Sequence, residues 1–175
     1  MNVRPPLGAA LGTLVGAPLF IGATVLYVPW TLSGWIVRRP FFGWMAWRWI
    51  GVAMIAAALP VMLDFLLRFV REGHGTPMPM APPRRLVVNG TFRFVRNPGY
   101  LAALGVMVGQ GLLLGSVPVL IYAVGMGAVF HLFVVGYEEP ALRRKFGAEY
   151  ETYRHEVRRW IPRRPRAGHA GRTWA

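Results

Sequence analysis

Cysteine is absent from the 175 residues of this chain. Disulfide bonds, zinc sites built from thiolates and cysteine nucleophiles are therefore excluded. Histidine is scarce as well, and no second histidine is spaced as a ligand partner for His131. Because a metal site needs several converging ligands, the sequence gives no support for a bound metal ion.

Charged residues are few and unevenly distributed. They make up 15% of the chain, whereas hydrophobic residues make up 54%. Soluble domains carry about 25% charged residues. Between Tyr100 and Tyr137 there is no Lys, Arg, Asp or Glu. This segregation excludes a soluble globular domain and predicts an all-α integral membrane protein.

Most of the charged residues are positive. The chain has 20 Lys and Arg against 7 Asp and Glu, which gives a net charge of +13. The arginines flank apolar segments, so contact with lipid head groups explains them better than contact with nucleic acid does. We therefore expect the lipid bilayer as a partner, and no nucleic acid.

Apolar runs predict four transmembrane helices arranged as two hairpins. The first run lacks a convincing small-residue cleavage site, which favours an uncleaved span over a signal peptide. Gly115-Ser116 separates the third and fourth runs and predicts a tight helical turn. The predicted spans are Leu7–Val28, Trp49–Phe69, Tyr100–Leu114 and Val117–Tyr137.

A fifth helix is predicted over Pro140–Ile161, after the fourth span. Its apolar residues recur every three or four positions, so they share one face, and arginines cover much of the rest. Such a helix lies at the membrane interface or folds back on the spans. The face comprises Leu142, Phe146, Tyr150, Tyr153, Val157 and Trp160.

The pattern divides the chain into three parts. Residues 1–72 form an N-terminal two-span hairpin, residues 73–162 form the region that carries the polar motifs, and residues 163–175 form a basic, disordered tail. The positive-inside rule places both termini and the polar motifs in the cytosol, at a bacterial inner membrane. Arg38 and Arg39 fall on the opposite side in this topology.

Asp64 is an acidic residue inside a predicted span, and such residues are candidates for function. Arg68 lies four residues further on, so a local ion pair on one helix face is the simpler interpretation.

The stretch Arg84–Leu101 joins the second span to the third and is the centre of the polar motifs. Asn97 suits the N-cap of a helix and Pro98 its first position. Such a helix start presents free N–H groups and partial positive charge. The topology brings this helix start to the same membrane face as the Glu138-Glu139 pair. Together they match a zwitterionic ligand with hydroxyl groups.

Alternatives remain open at this point. Glu138 and Glu139 precede Pro140, so they can equally serve to complement the positive end of the next helix. His131 is two helical turns before Glu138 on the same face, and a hydrogen-bonded core histidine is the simpler interpretation for it.

The segments LVVNGTFRFVRNPGYL and EEPALRRKFGAEYETYRHEVRRWIP resemble the isoprenylcysteine carboxyl methyltransferase family and its prokaryotic relatives. The resemblance covers about Thr76–Pro162, and the first two spans match only in character. Two positions depart from the family pattern. The family often has His where this chain has Asn97, and eukaryotic members have an Arg where this chain has Val134. The second departure argues against a prenylcysteine substrate.

The resemblance implies a membrane methyltransferase that uses S-adenosylmethionine. It implies catalytic roles for Arg96 and Glu138, and the other arginines at the same face are candidates for an acidic head group of the substrate: Arg93, Arg154 and Arg158. The interpretation as lipid-phosphate contacts stays open for those arginines. The predicted cofactor-binding set is Arg85, Leu86, Val87, Phe92, Asn97, Pro98, Gly99, Tyr100, His131, Glu138 and Glu139.

The expected activity is therefore methyl transfer to a lipophilic acceptor, which is a lipid, an isoprenoid or a lipidated carboxylate. A membrane reductase of related architecture and a non-catalytic structural membrane protein are the alternatives. The structural alternative predicts that replacing Glu138 or Tyr100 leaves function intact.

Overall fold

Helices account for all the regular structure in the computed structural model, which describes residues 19–71 and 86–164. No strand occurs within these two ranges. Short 3₁₀ turns lie at Phe41–Gly43 and Gly90–Arg93, and a π-helical segment, Val134–Glu138, joins the fourth helix to the fifth. The helices are α1 (Leu19–Ser33), α2 (Ala46–Arg71), α3 (Pro98–Leu114), α4 (Val117–Phe133), α5 (Glu139–Phe146) and α6 (Ala148–Glu156).

Two of these helical stretches are long and apolar enough to cross a membrane. They are Ala46–Arg68, within α2, and the continuous stretch Val117–Phe146. The described part of α1 and the whole of α3 are shorter apolar helices. The predicted second span thus lies within α2, while the count of four spans stays a prediction. Residues 1–18, 72–85 and 165–175 lie outside the described part, and with them most of the first span, Arg85 and most of the tail.

Close packing between α2 and α3 depends on small residues. A Cβ atom added at Gly51 would lie 2.6 Å from the Gly109 carbonyl oxygen, and one added at Gly109 would lie 2.7 Å from the side chain of Ile55. Further along the same contact, a Cβ at Gly105 would lie 3.2 Å from that of Ala58. Small residues let two helix backbones approach when lipid offers no hydrophobic driving force.

Side chains of α3 and α4 hold α1 through its π-helical segment, Ala23–Tyr27. The Gln110 amide donates to the carbonyl oxygen of Val25 at 3.0 Å, and the Tyr122 hydroxyl donates to that of Thr24 at 3.0 Å. The Gln110 side chain thus joins α3 to α1 inside an apolar bundle through its nitrogen, while its Oε1 atom has no partner in the described structure.

The predicted tight turn between α3 and α4 is confirmed. Gly115 adopts the left-handed conformation, with φ of 65°, which suits a glycine at the end of a helix. The Ser116 N–H then donates to the Gly111 carbonyl oxygen at 2.9 Å, and α4 begins one residue later.

Asp64 forms the predicted ion pair with Arg68, whose Nε lies 2.8 Å from Oδ1. Its second oxygen accepts hydrogen bonds from the Thr91 N–H at 3.0 Å and the Thr91 hydroxyl at 2.8 Å. Asp64 therefore fastens the Gly90–Arg93 turn to α2, and its carboxylate has a structural explanation.

The prediction of a single amphipathic helix over Pro140–Ile161 is wrong in one respect, because the structure has two helices there. Gly147 separates them with φ of 50° and ψ of −122°, which is not a helical conformation, and α6 ends at Glu156. The predicted apolar face does fold back on the rest of the chain. It packs against Leu86 and Val88 through Leu142, Phe146, Tyr150, Tyr153 and Val157.

We expect Gly51→Ala to destabilise the protein, since the added methyl group would overlap backbone atoms of α3. The matched control is Gly125→Ala, because nothing lies within 4 Å of a Cβ at that position of α4. Thermal unfolding in lipid nanodiscs should show a loss of about 2 kcal/mol for the first variant and little change for the second. Equal stability of the two variants would contradict the close α2–α3 contact.

Candidate functional site

Glu139, the first residue of α5, is the centre of a buried ion network. Its carboxylate accepts hydrogen bonds from Arg159 Nε at 2.6 Å and Nη2 at 2.9 Å, and from Arg96 Nη1 at 3.0 Å. The Glu139 side chain is only 6% exposed, so its charge needs this compensation. With two guanidinium partners, Glu139 is fully engaged within the protein.

Two tyrosines of α6 extend this network. Arg96 Nη1 also donates to the Tyr150 hydroxyl at 3.2 Å, and the Tyr153 hydroxyl donates to the Phe92 carbonyl oxygen at 2.8 Å. Burial raises the pKa of both phenols above the ordinary tyrosine value. Both hydroxyls therefore stay protonated at neutral pH. The bond from Tyr153 holds α6 against the Gly90–Arg93 turn.

The C-terminal strap, residues 158–163, runs beside the chain that leads into α3. The Arg96 N–H donates to the Arg158 carbonyl oxygen, and the Arg163 N–H donates to the Phe94 carbonyl oxygen, both at 2.9 Å. The Asn97 side-chain amide donates to the Arg159 carbonyl oxygen at 3.1 Å. Asn97 does occupy the predicted N-cap position, but its side chain holds the strap instead of capping α3.

Glu138 differs from its neighbour. Its carboxylate accepts a hydrogen bond from the Tyr100 hydroxyl at 3.2 Å, from the first turn of α3. Glu138 is partly buried, and no ion pair of this carboxylate occurs among the described residues. A carboxylate in such surroundings, without a cation, is suited to accept hydrogen bonds from a ligand or to pair with a positively charged group.

The start of α3 supplies donors beside this carboxylate. The N–H groups of Gly99 and Tyr100 belong to the first turn, where no partner exists within the helix. Gly99 lies against Phe65, and a Cβ atom there would be 2.9 Å from the ring. Arg96, just before the helix, has a buried Nε atom with no hydrogen-bond partner in the described structure. These groups favour an anion at this end of the site.

Aromatic rings surround the Tyr100 side chain. Its ring centroid is 4.8 Å from that of Phe130 on α4 and 6.5 Å from that of Trp160 in the strap. The Trp160 indole N–H donates to His131 Nδ1 at 3.1 Å. His131 therefore accepts a hydrogen bond from Trp160, as a hydrogen-bonded histidine would, but its side chain is exposed and does not lie in the core. The predicted cofactor contact of His131 stays a prediction.

The other predicted site residues lie further from Tyr100 and Glu138 in the network of described contacts. Leu86 and Val87 lie in the extended segment before the 3₁₀ turn, and Phe92 packs with its ring centroid 6.1 Å from that of Phe65. Arg93 is exposed on the turn, and Arg154 pairs with Glu151 at 3.3 Å. The Arg158 side chain is exposed as well. No contact described in the structure joins these three arginines to Glu138.

Sequence reasoning missed several residues of the site. Arg159, Trp160, Phe130 and Tyr150 contact the predicted residues directly. The sequence signals for these residues are weak, because Trp160 and Tyr150 belong to one apolar face and Arg159 is one of many basic residues. The structure does bring together Arg96, Asn97, Pro98, Gly99, Tyr100, His131, Glu138 and Glu139.

Replacing Glu139 by Gln would leave two guanidinium groups without their carboxylate. We expect a loss of roughly 3 kcal/mol of stability, because breaking a buried ion pair strands the remaining charges. Thermal unfolding in lipid nanodiscs measures this loss, and Glu149→Gln on α6 is the control that removes one carboxylate outside the network. Identical unfolding temperatures for Glu139→Gln, Glu149→Gln and the unchanged protein would contradict the network's structural role.

A family model described as phospholipid methyltransferase matches residues 46–149 of the chain. The matched residues run from the start of α2 into α6 and include Tyr100, Glu138 and Glu139, but not the strap. Comparison with curated proteins and with solved structures gave no significant match. The match covers more than half of the chain and supports the broader part of the resemblance, a membrane methyltransferase for lipid-type substrates. The chain therefore belongs to the phospholipid methyltransferase family.

Proposed function

We propose that this protein is an S-adenosylmethionine-dependent methyltransferase of the membrane that acts on a lipophilic acceptor. One observation carries the proposal: the Glu138 carboxylate is joined to Tyr100 and has no cationic partner in the described structure, whereas Glu139 beside it has two. An unneutralised carboxylate at the start of a helix, inside the residues matched by the family model, suits a ligand that brings its own donors or positive charge.

S-adenosylmethionine has groups that fit this set of residues. Its ammonium group and ribose hydroxyls are donors for Glu138, and its carboxylate suits the N–H groups of Gly99 and Tyr100 near Arg96. The partly exposed ring of Trp160, beside Tyr100, would offer a π face to a sulfonium or to the adenine ring. When bound, this cofactor would supply an activated methyl group.

Arg96 and Glu139 act in this proposal as positioning residues. Arg96 links Glu139 to Tyr150 through its side chain and to the strap through its backbone. The pair therefore holds α3, α5, α6 and the strap together around Glu138. The catalytic role predicted for Arg96 becomes one of fixing the site, and its Nε atom, which has no partner in the described structure, would be a donor for the anionic end of the ligand.

Methyl transfer from a sulfonium is an in-line displacement, so the protein mainly has to align acceptor and methyl group. The C-terminal strap covers the segment leading into α3 and limits the access of water there. Surroundings of low polarity would favour transfer from a positively charged methyl donor to an anionic acceptor, because the two charges would cancel. A carboxylate acceptor would need no general base, and Glu138 would then bind cofactor and not move a proton.

An apolar cavity of about 410 Å³ lies between α2 and α3 and supports a lipophilic acceptor. Val61 and Leu101 contribute its walls, while Phe94 and Pro98 bring it to the chain segment that precedes Tyr100. Lining of this kind suits an apolar chain entering sideways from the bilayer. Leu101, which lines the cavity, follows Tyr100 directly on α3, so the two side chains lie on neighbouring faces of the helix. The acceptor would therefore approach Tyr100 from the Leu101 face.

The membrane arrangement is part of the proposal. We place four spans in a bacterial inner membrane with both termini and the Glu138 site in the cytosol, because the arginine-rich segments lie at this end of the helices. The bilayer is then both the environment of the protein and the source of the acceptor.

Glu138→Gln should weaken S-adenosylmethionine and S-adenosylhomocysteine binding by about 10- to 100-fold, since a hydrogen bond to a charged group contributes roughly 1.5–3 kcal/mol. Tyr100→Phe keeps the ring and removes the hydroxyl, so we expect a smaller loss of affinity. Calorimetric titration of the protein in lipid nanodiscs measures both. Glu149→Gln is the matched control and should bind as the unchanged protein does.

Two results would contradict this proposal. The first is an absence of binding by either ligand at millimolar concentration to a folded protein. The second is equal affinity for Glu138→Gln and Glu149→Gln, because the Glu138 carboxylate would then have no part in the site.

A further inference from the structure

Three arginines lie in the loop between α1 and α2 or at the start of α2, at the end of α3 remote from Glu138. We call Arg38, Arg39 and Arg48 the distal arginine cluster. Arg48 Nη2 donates to the Arg38 carbonyl oxygen at 2.7 Å, and the Arg38 N–H donates to the Leu114 carbonyl oxygen at 2.9 Å. Leu114 is the last of the 17 residues of α3, so the cluster lies about 25 Å from the first turn of that helix.

No carboxylate among the described residues forms an ion pair with this cluster. The sequence has no Asp or Glu before Asp64, and none between Glu72 and Glu138. Asp64 itself is engaged at the other end of α2 with Arg68 and Thr91. The three arginines therefore have no carboxylate partner in the part of the chain that the structure describes.

Helix dipoles do not supply the missing negative charge either. The C-terminal ends of α1 and α3 lie here, but so do the N-terminal ends of α2 and α4. Two partial negative charges and two partial positive charges leave the charge of the arginines uncompensated. The start of α4 is close to the cluster, because a Cβ atom at Gly115 would lie 2.5 Å from the Arg39 carbonyl oxygen.

Buried polar atoms without partners occur at the same end. Arg48 Nε, Trp47 Nε1 and the Ser116 hydroxyl have no hydrogen-bond partner in the described structure. Ser116 is the N-cap residue of α4 and makes no capping bond with its side chain. Buried donors almost always have a partner, so these groups favour an acceptor supplied from outside the chain.

The surroundings of the cluster are aromatic and exposed. Phe42 is 87% exposed, and Trp44 and Trp49 are each 69% exposed. Phe42 and Trp35 adopt positive φ values of 53° and 55°, which are uncommon for bulky residues and hold the loop in a specific conformation. Tryptophan rings at this position belong at the level of lipid head groups, so the matching ligand has an apolar part as well as negative charge.

We propose that the distal arginine cluster binds the phosphate of an anionic phospholipid, with the aromatic residues beside it contacting the lipid. This lipid is distinct from the methyl acceptor, because the cluster and Glu138 lie at opposite ends of α3. It would fix the loop between α1 and α2 and compensate the arginine charge that the chain leaves unpaired.

Quenching of tryptophan fluorescence by brominated phospholipids tests the proposal. Five of the seven tryptophans lie between residues 30 and 49, so the signal reports mainly on this loop and on the helix ends that flank it. Brominated phosphatidylglycerol and brominated phosphatidylcholine are titrated separately into the full chain in detergent micelles. We expect roughly tenfold tighter binding of the phosphatidylglycerol, and its preference should disappear in Arg38→Gln/Arg39→Gln.

Control variants separate the site from general attraction between a basic protein and an anionic lipid. Arg144→Gln removes an exposed arginine on α5 and should keep the preference, as should Arg38→Lys/Arg39→Lys, which retains the charge. Thermal unfolding checks that each variant is folded. For the unchanged protein, unbrominated phosphatidylglycerol should restore the fluorescence, whereas inorganic phosphate should not.

Three outcomes would overturn the proposal. Equal quenching by the two lipids would mean that the cluster does not select an anionic head group. An unchanged preference in Arg38→Gln/Arg39→Gln would place the selection elsewhere in the chain. Restoration of fluorescence by inorganic phosphate alone would assign the site to a free anion instead of a phospholipid.

Discussion

The ion network of Glu139 with Arg96 and Arg159 is the interaction on which the candidate site depends. The three residues come from the start of α5, from the segment before α3 and from the C-terminal strap, so one carboxylate joins parts of the chain that are far apart in sequence. Two guanidinium groups around a buried carboxylate compensate the cost of removing it from water. Tyr150 and the backbone bonds of Arg96 extend the same connection to α6.

With Glu139 occupied in this way, the two adjacent glutamates have different roles. Glu139 is neutralised within the protein, whereas Glu138 contacts the Tyr100 hydroxyl and has no cationic partner in the part of the chain that the structure describes. Capping and function were equally good interpretations of the pair in the sequence. The structure distinguishes them: Glu139 joins distant segments through two guanidinium groups, and Glu138 is the glutamate to which we assign the proposed ligand contact.

Local patterns predicted the local features well. Pro98 begins α3, Gly115-Ser116 forms the turn, and Asp64 pairs with Arg68, because each depends on residues within a few positions of one another. Contacts between distant segments could not be predicted in this way. The bond from Asn97 to the strap and the pairing of Arg159 with Glu139 depend on how the helices pack, and nothing in the spacing of the basic residues singled out Arg159. Gly147 was a visible signal for the break between α5 and α6 that the apolar periodicity obscured.

The most direct test of the central claim follows the methyl group itself. Membranes containing the protein are incubated with S-adenosylmethionine labelled in its methyl group, and the label is measured in the extracted lipophilic fraction. The account predicts label in that fraction for the unchanged protein and for Glu149→Gln, and its loss for Glu138→Gln at equal protein level and unfolding temperature. Label transferred equally well by Glu138→Gln, or no label above that of membranes lacking the protein, would contradict it.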